Sequence, residues 1–172
     1  ILKTDKDIDT VRLCKGVTLV EHDERAEHES VGDIGWGLPW MSHTEDTYNN
    51  ENTGKGVDIY VVDTGIRTTH DELIGRVRTL YTYDDLPYAT TGPVSPEHGT
   101  AVAGCAAGAN YGTAPEATIV NCRIDFMTST ILKALDRILR DHLDKPDDRP
   151  SIVNFSGSTL SPIMGKFFER LT

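Results

Sequence analysis

An apolar run at residues 57–62, rich in β-branched side chains, is the strongest structural signal in the chain. Runs with apolar residues at nearly every position are typical of strands buried on both faces of a parallel sheet. Residues 118–124 and 151–155 have the same character, and residues 130–143 between them place apolar side chains at helical spacing. A strand, a helix and a strand in that order predict a βαβ crossover and therefore a parallel sheet.

Two polar residues stand where such a sheet collects its ligands. Asp63 directly follows the apolar run, which places a carboxylate at the carboxyl end of a strand. His98 opens a stretch of very small residues, 98–108, that can pack tightly against a sheet as a helix. Taken singly, Asp63 is typical of a turn and His98 of a polar residue at a helix N-terminus. Together they provide a carboxylate that can orient an imidazole and an imidazole that can act as a general base, two members of a Ser-His-Asp triad.

Three motifs in this order resemble those of the subtilisin-like serine proteases. Residues 61–66 (VVDTGI) resemble the family's catalytic Asp segment, residues 98–104 (HGTAVAG) its His motif, and residues 152–156 (IVNFS) the strand that lines its substrate cleft. Among subfamilies the chain is most similar to the proteinase K-like enzymes, because residues 31–38, which end in Trp-Gly-Leu, resemble their mature start.

The resemblance implies both a fold and a reaction. The expected fold class is α/β, with a doubly wound, mostly parallel sheet flanked by helices and incomplete at the C-terminus of this chain. The expected activity is that of a serine endopeptidase, in which Asp63 orients His98 and His98 deprotonates the nucleophilic serine.

The resemblance also divides the chain. Residues 16–23 (GVTLVEHD) resemble the last strand and tail of the family's inhibitory propeptide. Residues 1–29 are therefore expected to be the C-terminal end of a propeptide, and residues 30–172 the N-terminal part of the peptidase domain. In such zymogens the tail lies in the cleft and is cut by the enzyme itself, which implies a maturation cut within a few residues of Ser30.

The family's nucleophile lies in a Gly-Thr-Ser-x-Ala motif, and no part of these 172 residues matches it. Gly-Thr occurs only at residues 99–100 and 112–113, each time followed by Ala. Without a nucleophile and an oxyanion donor, we expect this chain alone to have no useful hydrolytic activity. Two hypotheses follow: an endopeptidase whose serine lies outside this chain, or a catalytically inactive truncated homologue that acts as a binding or decoy module or has no function.

The substrate-binding backbone departs from the family pattern in two places. Where the family has Ser-Leu-Gly, this chain has Ser156, Gly157 and Ser158, and the Gly-rich strand on the other side of the cleft is shortened to residues 125–128. Both changes are compatible with tolerated loop variation and with altered specificity. The three residues 156–158 remain the candidate substrate-binding segment.

The remaining composition limits cofactors and partners. The net charge of 17 − 27 = −10 disfavours nucleic acid and anionic membranes, and the sequence has neither a signal peptide nor a long apolar run. His22 and His28 are six residues apart and fit no common metal-ligand spacing. Glu72 aligns with a calcium-binding acid of some family members, but the insertion that completes their site is missing near residues 109–111. We therefore predict no cofactor and find no complete metal site in the sequence, while the resemblance to the family leaves other calcium sites open.

The resemblance supplies the expected partners and location. These are protein or peptide substrates and the protein's own propeptide segment, with a monomeric, secreted enzyme when the domain is complete. Three cysteines, Cys14, Cys105 and Cys122, allow one disulfide at most, and a bridge between Cys105 and Cys122 is left open by the sequence.

Overall fold

The computed structural model describes residues 5–20, 27–28, 38, 41, 52–85, 95–158 and 162–168. Its helices are α1 (Asp5–Arg12), α2 (Glu97–Ala107), α3 (Thr128–Leu143) and α4 (Pro162–Phe168). Its strands are β1 (Glu27–His28), β2 (Asp58–Asp63), β3 (Val77–Thr82), β4 (Thr118–Arg123), β5 (Ser151–Phe155) and β6 (Gly157–Ser158), and a 3₁₀ turn, Tyr83–Asp85, follows β3. No helix within the described ranges is both long and apolar enough to cross a membrane.

The main sheet has four parallel strands in the order β3-β4-β2-β5. Strand β2 lies between β4 and β5, and it pairs with β4 along its whole length, from Asp58 opposite Thr118 to Asp63 opposite Arg123. Helix α3 connects β4 to β5, as the strand-helix-strand pattern predicts. Because all four strands run the same way, their carboxyl ends lie along one side of the sheet, which we call the carboxyl edge. Asp63 lies on the carboxyl edge.

Apolar side chains pack on both faces of the sheet, which confirms the expected α/β class with helices on each side. Alternate residues of β2 and β4 point to opposite faces. On the first face, Tyr60, Val62, Val120 and Cys122 of the sheet pack against Ile131, Leu135 and Ile138 of α3. On the second face, Ile59, Val61 and Ile119 of the sheet pack against Val102, Ala103 and Ala107 of α2. The small residues of α2 allow this helix to lie close to the strands.

Two strands of the main sheet differ from expectation, and residues 17–20, read as the last strand of the propeptide, form no strand. Strand β3 is not predicted, because Arg78, Thr79 and Thr82 interrupt its apolar pattern; it forms an edge of the sheet, where polar side chains are tolerated. Strand β5 is predicted to be buried on both faces, and this is wrong for the described structure. Ile152 and Val153 are 54% and 37% exposed because β5 is the other edge of the four-stranded sheet, paired with β2 alone.

Candidate active site

The two residues singled out by the sequence meet at the carboxyl edge of the sheet. Asp63 is the last residue of β2, and His98 is the second residue of α2. The His98 Nδ1 atom lies 2.8 Å from the Asp63 Oδ1 atom, and the two side chains are 10% and 0% exposed. An ionised carboxylate can only accept hydrogen bonds, so Nδ1 carries the proton of this pair. The ring nitrogen that remains able to take up a proton is therefore Nε2, as in a serine protease triad.

Thr64 forms hydrogen bonds with both the Asp63 carboxylate and the start of helix α2. Its backbone N–H donates to Asp63 Oδ1 at 2.6 Å, so that oxygen accepts from both Thr64 and His98. The Thr64 hydroxyl oxygen accepts a hydrogen bond from the backbone N–H of Gly99 at 3.0 Å. One side chain thus joins the loop that carries the carboxylate to the helix that carries the imidazole.

A second cross-link joins Arg67, three residues after Thr64, to Thr100, one residue after Gly99. The backbone N–H of Arg67 donates to the Thr100 hydroxyl at 2.9 Å, and that hydroxyl donates to the carbonyl oxygen of Pro96. Because two separate hydrogen bonds join the loop to the start of α2, the distance between Asp63 and His98 is fixed by backbone placement as well as by their own contact.

The predicted substrate-binding segment lies beside this pair. Phe155 pairs with Val62 in the parallel sheet, so Ser156 follows β5 at the level of Asp63. Gly157 and Ser158 form β6, which pairs antiparallel with β1, with His28 opposite Gly157 and Glu27 opposite Ser158. The side chain of Ser156 accepts a hydrogen bond from Asn154 at 2.8 Å. The structure therefore brings residues 156–158 to the same edge of the sheet as Asp63, with an extended segment of the same chain on β6.

The segment between β4 and α3 contains a single β-bridge residue, Met127, and no longer strand. Asp125 is buried, and its Oδ1 atom accepts hydrogen bonds from the Met127 N–H at 3.2 Å and the Thr130 hydroxyl at 2.6 Å. Phe126 has a φ angle of 63°, is buried, and packs against Phe155 with 6.2 Å between ring centroids. The chain thus turns directly from β4 into α3, in agreement with the shortened segment read from the sequence.

Comparison with known proteins decides the family. The model of the subtilase family matches residues 54–168, which include the Asp63–His98 pair and the 156–158 segment. This chain belongs to the subtilase family.

Curated and solved relatives agree with this assignment. The subtilase chain is 31% identical to subtilisin-like protease 3 of Pseudogymnoascus destructans, over 97% of the chain and 45% of that protein. It is 28% identical to the extracellular serine proteinase of a Thermus species, over 88% of the chain and 38% of that protein. A crystal structure of a cold adapted subtilisin-like serine proteinase matches 74% of the chain and 46% of its own length, with a TM-score of 0.61 and 29% identity. The subtilase chain thus spans less than half the length of each of these relatives.

Glu72, which aligns with a calcium-binding acid of some family members, is hydrogen-bonded within the subtilase chain. The Oε2 and Oε1 atoms of Glu72 accept hydrogen bonds from the backbone N–H and the side-chain amide of Asn110, both at 2.7 Å. These bonds lower the pKa of Glu72 below its ordinary value. Across the parts of the subtilase chain that the structure describes, no group of three or more His, Cys, Asp or Glu side chains is placed to hold a metal ion. The two histidines considered as ligands are not tested, since His22 lies outside the described residues and the side chain of His28 is not described.

All three cysteines of the subtilase have free thiols. Cys122 lies in the core on the α3 face of the sheet, whereas Cys105 lies on α2, which packs against the opposite face. The sheet therefore separates the two residues, and the bridge that the sequence left open is not formed.

Sequence reasoning did not single out two residues that lie close to the Asp63–His98 pair. Thr64 was read only as part of a motif, and Arg123 was not singled out. The signal for Arg123 was present: it is a charged residue at the end of an apolar strand, as Asp63 is, and it lies opposite Asp63 in the sheet.

Proposed function

We propose that this chain provides the aspartate and the histidine of a serine endopeptidase whose nucleophilic serine lies outside residues 1–172. The observation that carries the proposal is the 2.8 Å contact between His98 Nδ1 and the fully buried Asp63 carboxylate. A buried carboxylate on one ring nitrogen fixes the tautomer and leaves the other nitrogen to act as a general base. Membership of the subtilase family supports the same reaction class.

In the proposed reaction His98, Asp63 and Thr64 have separate roles. The His98 Nε2 atom takes the proton of the serine hydroxyl as the serine oxygen attacks the scissile carbonyl carbon, and it then gives that proton to the leaving amine. Asp63 stabilises the imidazolium that forms between these steps. Water then hydrolyses the acyl-enzyme with the same base. Thr64 keeps the Asp63 carboxylate in position through its N–H.

The proposed substrates are extended peptides or protein segments that pair with β6. Backbone pairing in this mode depends on main-chain N–H and C=O groups, which any sequence can offer, and side-chain pockets add the selectivity. The antiparallel pairing of β1 with β6 supports the proposal, because it is the arrangement expected of an extended peptide at this edge.

We further propose that residues 1–29 are the end of an inhibitory propeptide. Strand β1 runs antiparallel to β6, so the backbone direction at His28 points toward Ser156, which lies at the level of Asp63. The proposed cut lies in the peptide bonds near Ser30, which follow His28 in sequence. A cut there would separate the proposed propeptide from a peptidase domain that begins near residue 30.

Location, cofactors and partners follow from the same proposal. One relative is named an extracellular serine proteinase, which supports secretion. The hydrolysis needs no cofactor, and the proposed enzyme is a monomer that binds neither nucleic acid nor membranes, consistent with its net charge of −10.

The experiment that tests the proposal is to read the coding sequence past the codon for Thr172, express the complete product and measure the hydrolysis of a protein substrate such as casein. We expect an in-frame Gly-Thr-Ser-x-Ala motif, hydrolysis, and a mature N-terminus within a few residues of Ser30. A stop codon, or a complete product without hydrolytic activity, would instead favour the truncated, non-catalytic alternative.

A further inference from the structure

Arg123 lies next to the catalytic carboxylate on the neighbouring strand. It is the last residue of β4 and sits opposite Asp63, the last residue of β2. The next residue, Ile124, donates its N–H to the carbonyl oxygen of Asp63 at 2.8 Å. The Arg123 side chain is only 24% exposed, so it lies along the protein and does not extend into solvent.

The guanidinium group is held by the turn that follows β3. The Arg123 Nη1 atom forms an ion pair with the Asp84 carboxylate, and the guanidinium carbon lies 5.3 Å from the centroid of the buried Tyr83 ring. A half-exposed ion pair contributes little to stability by itself. A guanidinium group that stacks on an aromatic ring and also forms an ion pair is nevertheless held in one orientation.

Fixed in this way, Arg123 contacts the loop that carries Asp63. Its Nε–H donates to the carbonyl oxygen of Thr64 at 3.2 Å. Its aliphatic stem closes on Gly65, where an added Cβ would lie 2.9 Å from Cδ and 3.0 Å from Cγ of Arg123. Gly65 has a φ angle of 104°, a conformation that favours glycine. Arg123 therefore lies against the Thr64–Gly65 peptide unit at two points: the carbonyl oxygen of Thr64 and the α-carbon of Gly65.

We propose that Arg123 is a positioning residue for the Asp63–His98 pair. It acts through Thr64, whose N–H holds the Asp63 carboxylate and whose hydroxyl accepts the N–H of Gly99, next to His98. By holding the Thr64 carbonyl, Arg123 keeps both of these bonds aligned. The expected effect of Arg123 on catalysis rests on the proposed function. Its expected effect on the geometry of the pair rests on the described contacts alone.

The test compares Arg123→Met and Arg123→Lys with a matched control, Arg78→Met, in the protein translated from the complete coding sequence that contains this chain. Arg78 is also an arginine paired with an aspartate, Asp141, but it is the second residue of β3, far from the carboxyl edge. Two properties are measured: the proton resonance of the His98 Nδ1–H, which a hydrogen bond to a carboxylate moves far downfield, and kcat and KM for a peptide substrate. Slow reaction of the Cys122 thiol confirms that each variant is folded.

For Arg123→Met we expect the His98 resonance to broaden or move upfield and kcat to fall about tenfold, with KM changed less than about twofold, because misplaced catalytic groups reduce the rate more than substrate binding. Arg123→Lys restores part of both, and Arg78→Met alters neither. A folded Arg123→Met protein with the wild-type resonance and wild-type kcat would overturn the proposal. If the wild type does not hydrolyse peptides, the proposed function fails, and the resonance still decides whether Arg123 positions the pair.

Discussion

Gly99 of α2 lies directly against Gly65 of the loop after β2. A Cβ atom added to Gly99 would stand 2.3 Å from the Gly65 carbonyl oxygen and 3.1 Å from the Asp63 Cβ and Oδ1 atoms. Real side chains do not approach backbone this closely. The 2.8 Å contact between His98 and Asp63 therefore depends on the absence of a side chain at residue 99.

This contact predicts the effect of two alanine substitutions in the same helix. We expect Gly99→Ala to lower the free energy of unfolding by about 1–3 kcal/mol, as overpacking does elsewhere, and to weaken the His98–Asp63 contact. Gly104→Ala is the control, because a Cβ at residue 104 meets no atom within 4 Å apart from its neighbours and the backbone of its own helix. That change should raise stability by about 0.5–1 kcal/mol, since alanine is the better helix former. Urea unfolding checks both signs, and equal effects would contradict the packing described.

A buried ion pair at the opposite edge of the sheet predicts a large loss of stability. Asp58 and Lys145 lie 2.7 Å apart, with side chains 1% and 6% exposed. Burial by itself would lower the pKa of Lys145, but its hydrogen bonds to Asp58 and Tyr60 outweigh burial and raise that pKa. The lysine is therefore charged at neutral pH, and this stabilising contribution is lost only as the pH rises through the raised pKa.

We expect Asp58→Asn to lower the free energy of unfolding by about 3–5 kcal/mol, because it leaves the buried ammonium without its counter-charge. The matched control is Asp136→Asn, which breaks the exposed pair with Arg140 on α3. That pair should contribute at most about 0.5 kcal/mol. Similar losses for the two variants, measured by urea unfolding, would show that the Asp58–Lys145 pair is not buried as described.

The contacts of Glu72 predict that its contribution to the melting temperature depends on pH and not on calcium. Its ordinary pKa of 4.5 is lowered, chiefly by the side-chain and backbone hydrogen bonds from Asn110. The contribution of this carboxylate is complete above pH 4.5 and is lost as the pH falls through the lowered pKa. The melting temperature of Asn110→Ala should therefore lie below that of wild type at pH 7, and the difference should shrink toward pH 3 (about one unit or more below the ordinary glutamate value).

The same contacts predict that calcium does not act through Glu72. Because both Glu72 oxygens already accept hydrogen bonds, adding calcium or a chelator should not change the contribution of this residue. A calcium-dependent rise in melting temperature that Glu72→Gln abolishes would contradict this account.

The three cysteines should react at different rates. Cys14 is exposed, burial raises the pKa of Cys105, and burial raises the pKa of Cys122 to about 12. Since the thiolate is the reactive form, a disulfide reagent at pH 8 (near the ordinary thiol pKa of about 8.5) should modify Cys14 first, Cys105 more slowly and Cys122 only on unfolding. Cys14→Ser should remove the fast phase. Rapid modification of Cys122 in the folded chain, or a Cys105–Cys122 bridge, would be inconsistent with their places on opposite sides of the sheet.

The sequence predicts the central part of this fold because that part depends on local patterns. The apolar run at residues 57–62 corresponds to β2, displaced by one residue, and the helical spacing of residues 130–143 corresponds to α3, which begins two residues earlier. The pairing of Asp63 with His98 follows from motif resemblance together with the rule that parallel strands end at a common edge.

Other features depend on distant parts of the chain and are not visible in a local pattern. The exposure of Ile152 and Val153 reflects the edge position of β5 and not their own chemistry. The contacts of Arg123 require the turn at residues 83–85, which is some forty positions earlier in the sequence, to meet the end of β4. Residue type alone could not predict either arrangement.

The most direct test of the central claim, that Asp63 and His98 activate a serine, is the reaction of the complete coding-sequence product with a fluorophosphonate, which phosphonylates activated serines with loss of fluoride. We predict labelling on a serine outside residues 1–172. His98→Ala and Asp63→Asn should each slow labelling by several orders of magnitude, about 10⁴-fold for the aspartate, the loss that removal of a triad carboxylate causes in serine proteases. Labelling that is absent from the wild type, or that proceeds equally fast without His98, would contradict the account.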